Sequence, residues 1–216
     1  SQLSATLIGS EIVRMNGEIK EKMKSGEKIF NYTIGDFDPS LFAIPIELEE
    51  EIIYAYRKHF TNYPAGEGEA ELRASIARFM LERGGLEYGL DEILIASGGR
   101  PLIYTIYRAI VDKGEKIIYS VPSWNNNHYV HFVEGEHCAL ETSAENNFMP
   151  TAEDIRPHLN GAVLLALCSP LNPTGTTFSR EQLEDICDMV IEENNRRPAD
   201  TKKLFILYDQ IYWQLT

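Results

Sequence analysis

The chain has 216 residues, enough for one or two domains with a buried core. Its 44% hydrophobic and 25% charged content is that of a soluble globular protein, and 33 acidic against 20 basic residues give a formal charge of −13. That charge opposes binding to nucleic acid or to an anionic membrane surface, so any anionic ligand must be held by a local site working against the global field.

Cys138, Cys168 and Cys187 are far apart and form neither a CxxC pair nor a Cys/His cluster. This argues against zinc and against a disulfide framework, and leaves reduced, buried thiols as the expectation. No apolar run approaches the roughly 20 residues of a membrane span. The N-terminal segment, polar from Ser10 onward, lacks a signal-peptide core. The reading is a soluble, cytoplasmic protein.

In chain order, Ile12, Met15, Ile19 and Met23 predict a helix from Gly9 to Lys24. A strand-like run, Ile29 to Ile34, leads into a loop at Gly35-Asp36-Phe37-Asp38-Pro39. A second helix is expected from Pro45 to Phe60. A third, Glu69 to Arg83, places Leu72, Ile76, Phe79 and Met80 on one face and ends at Gly84-Gly85. Strand and helix patterns then alternate. Strands are expected at 92–96, 116–121, 162–167 and 203–208, with a weaker one at 137–141; helices are expected at 102–111, 125–133 and from Ser179 to about Arg196. Runs such as AVLLAL and LFILY are apolar on both faces, which argues for a mostly parallel sheet covered by helices on both sides, a three-layer α/β/α fold.

Ligands of such sheets gather at the carboxyl ends of the strands, and four strands here end unusually. Ser97-Gly98-Gly99-Arg100-Pro101 runs from a strand into a helix, where the backbone N–H groups of Gly98, Gly99 and Arg100 can meet a phosphate; close strand–helix packing is the alternative use of such glycines. Pro101 has no N–H to give but suits a first helical turn. Trp124, after Pro122-Ser123, can stack on a flat heteroaromatic ring or simply fill core. Asn172 lies in Ser-Pro-Leu-Asn-Pro-Thr-Gly, where the prolines at 170 and 173 restrict their neighbours and fix the amide; a cis bond before either proline fits this stretch. Asp209 ends an apolar strand and needs a partner there: either a helix terminus that it caps or a protonated pyridine nitrogen, with Tyr212 in reach of the same ligand.

With these residues, the chain resembles the fold-type I aminotransferases, the class I/II group that includes aspartate and aromatic aminotransferases. The resemblance covers essentially all of the chain from about residue 8. SPLNPTGTTFSREQLEDI is its most specific piece, followed by YDQIY, YPAGEGEAELR and YTIGDFD. It implies pyridoxal 5'-phosphate as cofactor, with Gly98, Gly99 and Arg100 cradling the phosphate and Trp124 stacking on the ring. Asn172 and Tyr212 would bond the 3'-oxygen, and Asp209 the ring nitrogen. Gly35, Trp124 and Asn172 would contact substrate. Tyr63 would reach the phosphate of a neighbouring subunit in a homodimer with shared active sites. One departure stands in the cradle, where Arg100-Pro101 replaces a more usual polar pair.

The resemblance also implies a division at residue 45, with 1–45 belonging to a smaller domain and 46–216 to an incomplete cofactor-binding large domain. The lysine that binds the cofactor and the arginine that grips the substrate carboxylate would lie beyond Tyr212, and none of the lysines present sits in a matching motif. The implied activity is transfer of an amino group between an L-amino acid and a 2-keto acid by a ping-pong mechanism. Asn125 and His128 beside Trp124 incline the substrate toward dicarboxylic or aromatic amino acids. A lyase or decarboxylase of the same fold is the nearest alternative, and a non-catalytic sensor module a more distant one. A plain dinucleotide-binding fold is disfavoured for want of GxGxxG after a strand.

Overall fold

The computed structural model describes residues 1–33, 35 and 37–215. In chain order the elements are α1 (Gln2–Ala5), α2 (Glu11–Lys24), α3 (Ile46–Arg57), α4 (Ala70–Gly84), α5 (Gly99–Ile110), β1 (Lys116–Val121), α6 (Asn126–Phe132), β2 (Glu136–Glu141), α7 (Ala152–Ile155), β3 (Ala162–Cys168), α8 (Arg180–Arg196) and β4 (Phe205–Asp209). The chain forms two compact units, one of residues 1–8 with 98–216 and one of residues 9–97.

The first unit is built on a four-stranded sheet of order β2-β1-β3-β4, parallel at every pairing. Alternation along the strands sends side chains to two separate cores. Ile117, Tyr119, Leu164 and Ala166 pack with Tyr107 and Val111 of the α5 segment and with Tyr129, Val130 and Val133 of the α6 segment. Ile118, Leu165 and Leu167 face the other way, against Ile155 of α7, Leu159 just after it, and Ile186, Met189 and Val190 of α8. Helices therefore cover both faces, as the apolar runs predict. β3, central and hydrogen-bonded on both edges, is buried from Ala162 to Leu167. β4 departs from the expectation: it lies at the edge of the sheet, Phe205 is 46% exposed and its other residues are half-buried.

β1 adjoins β2 on one side and β3 on the other, so the chain leaves it in opposite directions. Such a reversal opens a crevice at the carboxyl ends of the strands. At the amino ends, Lys202 Nζ ties the layers together by donating to Ile110 O at 3.0 Å, Asp112 Oδ2 at 2.8 Å and Glu115 Oε2 at 2.7 Å.

The second unit is helical, with α2, α3 and α4 close to their expected spans. Two expected strands are absent. Residues 29–33 are irregular, because the Asn31 side chain accepts from Thr33 N at 3.0 Å and donates to Asn16 Oδ1 at 3.1 Å, local bonds that compete with a ladder. The Ile34 end of that run, like Asp36 and Thr216, lies outside the described residues. Residues 92–96 follow a 3-10 turn, Leu90–Glu92, and pair with no strand of the sheet; Ile95 N donates instead to Glu67 O at 3.0 Å. All three cysteines are free, as expected, but they are less buried than expected: Cys138 and Cys168 are half-buried and Cys187 is exposed. Among the described residues no helix is long and apolar enough to cross a membrane, and no group of His, Cys, Asp and Glu is placed to hold a metal ion.

Candidate active site

Three adjacent strands, β1, β3 and β4, end beside one another, and the segments that follow them carry Trp124, Asn172 and Asp209-Tyr212. The β3–β4 register pairs Cys168 with Asp209, which sets the Ser169–Pro173 turn next to the Asp209–Tyr212 turn. Ser169 N donates to Asp209 O at 3.1 Å, extending the pairing one step past the strand. The Asn172 amide then reaches across 40 residues of sequence, its Nδ2 donating to the Tyr212 hydroxyl at 3.2 Å. This joins two of the residues singled out in the sequence.

The Asn172 turn is closed by its own backbone hydrogen bonds. The Ser169–Pro170 and Asn172–Pro173 bonds are both cis, as is Val121–Pro122 at the end of β1. Leu171, buried to 2% exposure, pins the turn from below, and its N–H donates to Thr176 O at 2.8 Å. Gly175 N closes the loop on Leu171 O at 2.7 Å. Cys168 lies beneath, donating its thiol to Pro170 O at 3.3 Å. Burial pushes that thiol up to about 11; the Asn172 backbone N–H pulls the other way, and the Asp209 carboxylate adds to the rise.

Asp209 is half-buried and does not cap a helix. Its Oδ1 accepts from Ile211 N at 3.1 Å, a local turn that holds the carboxylate at the strand end. Among the described residues no donor is bonded to its second oxygen.

Gly98 precedes α5 with φ 102 and ψ 169, a conformation open to glycine. It stands at the N-cap without any side chain to satisfy the first turn, and Pro101 removes one donor from that turn. The N–H groups of Gly99 and Arg100 are left pointing out of the helix end with its partial positive charge, and both residues are exposed. The Arg100 side chain does something the sequence does not suggest: its guanidinium lies over the Trp124 ring, 5.4 Å from the centroid. Trp124 itself is half-buried.

Behind Trp124 runs a polar chain. Tyr107 donates its hydroxyl to Asn126 Oδ1 at 2.9 Å, and Asn126 Nδ2 donates to Ser123 Oγ at 3.2 Å. Tyr129, one turn into α6, packs its ring against Tyr107 at 5.4 Å between centroids. Its hydroxyl is buried without a hydrogen-bond partner. Burial raises the Tyr129 phenol above its usual range, Arg100 opposes the rise and Asp209 adds to it. Sequence reasoning misses Tyr129, because beside Val130 and Val133 a tyrosine at helical spacing reads as core.

Within the first unit the fold thus gathers Gly98, Gly99, Arg100, Trp124, Asn172, Asp209 and Tyr212 at the carboxyl end of one sheet and the start of one helix. Gly35 and Tyr63 belong to the second unit, and both are exposed there, Tyr63 at 98%. Asn125 adopts a left-handed conformation, φ 55, at the start of α6, and His128 is half-buried one turn later.

Comparison with known proteins places the chain in a family. The model for "Aminotransferase class I and II" matches residues 28–212. An aspartate aminotransferase from a Bacillus species is 26% identical over 212 residues, covering 97% of this chain and 51% of that protein. A probable aspartate/prephenate aminotransferase from Rickettsia felis is 31% identical over 181 residues, covering 83% of this chain and 43% of that protein. Among solved structures, the aspartate aminotransferase of Thermus thermophilus with maleate superposes with a TM-score of 0.86 at 26% identity, over 98% of this chain and 53% of that one. The chain spans about half the length of these relatives. It belongs to the class I and II aminotransferases, with the α/β architecture of the fold-type I large domain.

Proposed function

We propose that this chain is the part of a pyridoxal-phosphate-dependent aminotransferase that holds the ring and phosphate of the cofactor, and that the full-length protein moves an amino group between an L-amino acid and a 2-keto acid. The observation that carries the proposal is the Asn172–Tyr212 hydrogen bond beside Asp209, at the carboxyl ends of β3 and β4 in a parallel sheet. The residues at hand fit a phosphorylated pyridine. The open N-terminus of α5 suits a phosphate, the Trp124 face a flat ring, and the Asp209 carboxylate a ring N–H. The Asn172 Nδ2 and Tyr212 hydroxyl suit an anionic oxygen on the ring. When bound, the cofactor supplies an electron sink for the carbanion at the substrate Cα.

The chain's own residues set the conditions for that chemistry. Asp209 favours the protonated ring nitrogen by holding a negative charge beside it. Asn172 and Tyr212 orient the ring by fixing one oxygen. Gly99 and Arg100 anchor the phosphate through backbone N–H groups, and Arg100 carries a cation into the same corner. Gly35 is proposed to lie against the substrate carboxylate and Tyr63 to serve the site of a second subunit in a homodimer. A cytoplasmic location and the division into a smaller domain, 1–45, and a large domain, 46–216, belong to the same proposal; the chain's compact units divide instead after residues 8 and 97.

The relatives are named for aspartate and prephenate. This supports dicarboxylic or aromatic amino acids as substrates, as does the Asn125–His128 segment beside Trp124. Steady-state kinetics of the full-length protein, varying L-aspartate and a 2-keto acid together, test the reading. Parallel double-reciprocal lines are expected for a ping-pong transfer. Turnover that continues without any keto acid would establish a lyase or decarboxylase instead, and intersecting lines would contradict the ping-pong order.

A further inference from the structure

Among the described residues, the hydroxyl of Tyr129 is the one polar side-chain atom of this crevice that is buried and unpartnered. Tyr129 is 7% exposed, and its ring is held by Tyr107. A buried hydroxyl without a partner costs stability, because it has given up water for nothing. Its neighbours give it no relief: the Tyr107 hydroxyl is committed to Asn126, and the Asn126 amide to Ser123. Removing the oxygen would leave a phenylalanine suited to the same packing, so packing alone does not account for it.

Two charged groups bear on that hydroxyl, Arg100 and Asp209. A phenol can accept from a guanidinium or donate to a carboxylate; the Arg100 guanidinium is engaged over the Trp124 ring, whereas Asp209 is an acceptor. Asp209 has one oxygen engaged by Ile211 N and the other without a described donor. Leu207 of β4 packs against the cluster that contains Tyr129, and Asp209, two residues on, lies on that same face of the sheet, so an orphaned donor and an unclaimed acceptor share one side of the crevice.

We infer that Tyr129 is a positioning residue of the cofactor site, donating its hydroxyl to the second oxygen of Asp209 when the ring is seated. The two groups are not hydrogen-bonded in this structure, and site hydrogen bonds commonly tighten only with the ligand in place. With Ile211 N on one oxygen and Tyr129 on the other, the carboxylate would be fixed in its orientation toward the ring nitrogen. The inference rests on the proposed pyridoxal-phosphate site and adds to it a residue outside the motifs that identify the family.

The test is an equilibrium titration of the full-length protein with pyridoxal phosphate, for wild type, Tyr129→Phe, Asp209→Ala and the double variant, with thermal unfolding of each before the cofactor is added. Tyr129→Phe is expected to bind about ten-fold more weakly. Without cofactor it is expected to unfold at the same temperature as wild type or higher, since it removes an unsatisfied group. In the Asp209→Ala background the same change is expected to have no further effect on binding. Equal affinity for wild type and Tyr129→Phe, or an undiminished loss in the Asp209→Ala background, overturns the role assigned to Tyr129 while leaving the cofactor site intact. A Tyr129→Phe protein that loses stability without cofactor, in step with its affinity, shows a structural role and also overturns it. Failure of the wild type to bind pyridoxal phosphate removes the functional reading itself, and this inference with it.

Discussion

Gly98 holds φ 102 before α5, in a region where an L-residue is strained by about 1–2 kcal/mol. An added Cβ meets no atom within 4 Å, so a substitution there acts through the backbone and not through a clash. Gly98→Ala is therefore expected to lower stability by about 1–2 kcal/mol and to weaken pyridoxal phosphate by turning the α5 N–H groups, measurable by urea denaturation and cofactor titration. Cys168 makes a second residue-scale prediction. Its thiol is raised from an ordinary 9.0 to about 11, chiefly by burial. An acid whose folded value is raised keeps its proton longer in the folded state. Its stabilising contribution is thus complete below pH about 9 and lost as pH rises toward about 11. The difference in urea midpoint between wild type and Cys168→Ala should shrink across that window; a constant difference would show that the thiol does not titrate there. Tyr129 marks the limit of sequence reading at this scale. A phenol beside valines on a helix reads as core, and only the packing of α5, α6 and β4 reveals that its hydroxyl is buried without a partner on the face of the sheet that carries Asp209. The Arg100 guanidinium over Trp124 was equally hidden, because 24 residues separate the two in sequence and their meeting depends on the α5–β1 packing.

At the scale of elements, β3 is the centre of the unit and α8 covers one face of it. Ser179 caps α8, accepting from Gln182 N at 3.1 Å while Gln182 Oε1 accepts from Ser179 N at 2.9 Å. Ser179→Ala is expected to cost about 1 kcal/mol, read as a lower urea midpoint, with little change in cofactor affinity because the cap lies outside the site. Leu165, 1% exposed in β3, packs under α8. Leu165→Ala is expected to cost about 2–5 kcal/mol by cavity formation, measured by the same denaturation. The helices and the parallel strands were legible because each carries its own period and end signals, Ser179 and Gly85 among them. Gly85 ends α4 in the left-handed conformation, as the Gly84-Gly85 pair predicts. Residues 29–33 and 92–96 were not legible as irregular, because their composition suits a strand. Only the local bonds of Asn31 and the pairing of Ile95 with Glu67 decide otherwise. The exposure of β4 was hidden for a related reason: an apolar run does not say whether a strand lies at the centre or the edge of a sheet.

For the molecule as a whole, the acidic surface and the candidate site are in opposition. A net charge of −13 repels a phosphate-bearing ligand at long range, so binding depends on the short-range donors of the α5 terminus and on Arg100. The fold class and the strand-end residues of the first unit were readable from sequence because the parallel order places each motif on one edge. The roles of Gly35 and Tyr63 belong to the second unit and rest on resemblance. The central claim is that the carboxyl ends of β1, β3 and β4 with the start of α5 hold pyridoxal phosphate, and that Asp209 is the charge that secures the ring. It is tested most directly by titrating the full-length protein and its Asp209→Ala variant with pyridoxal phosphate. Saturable binding by the wild type, weakened on the order of a hundred-fold in the variant, is the predicted result. Equal affinity in the two proteins, or no saturable binding by the wild type, would contradict it.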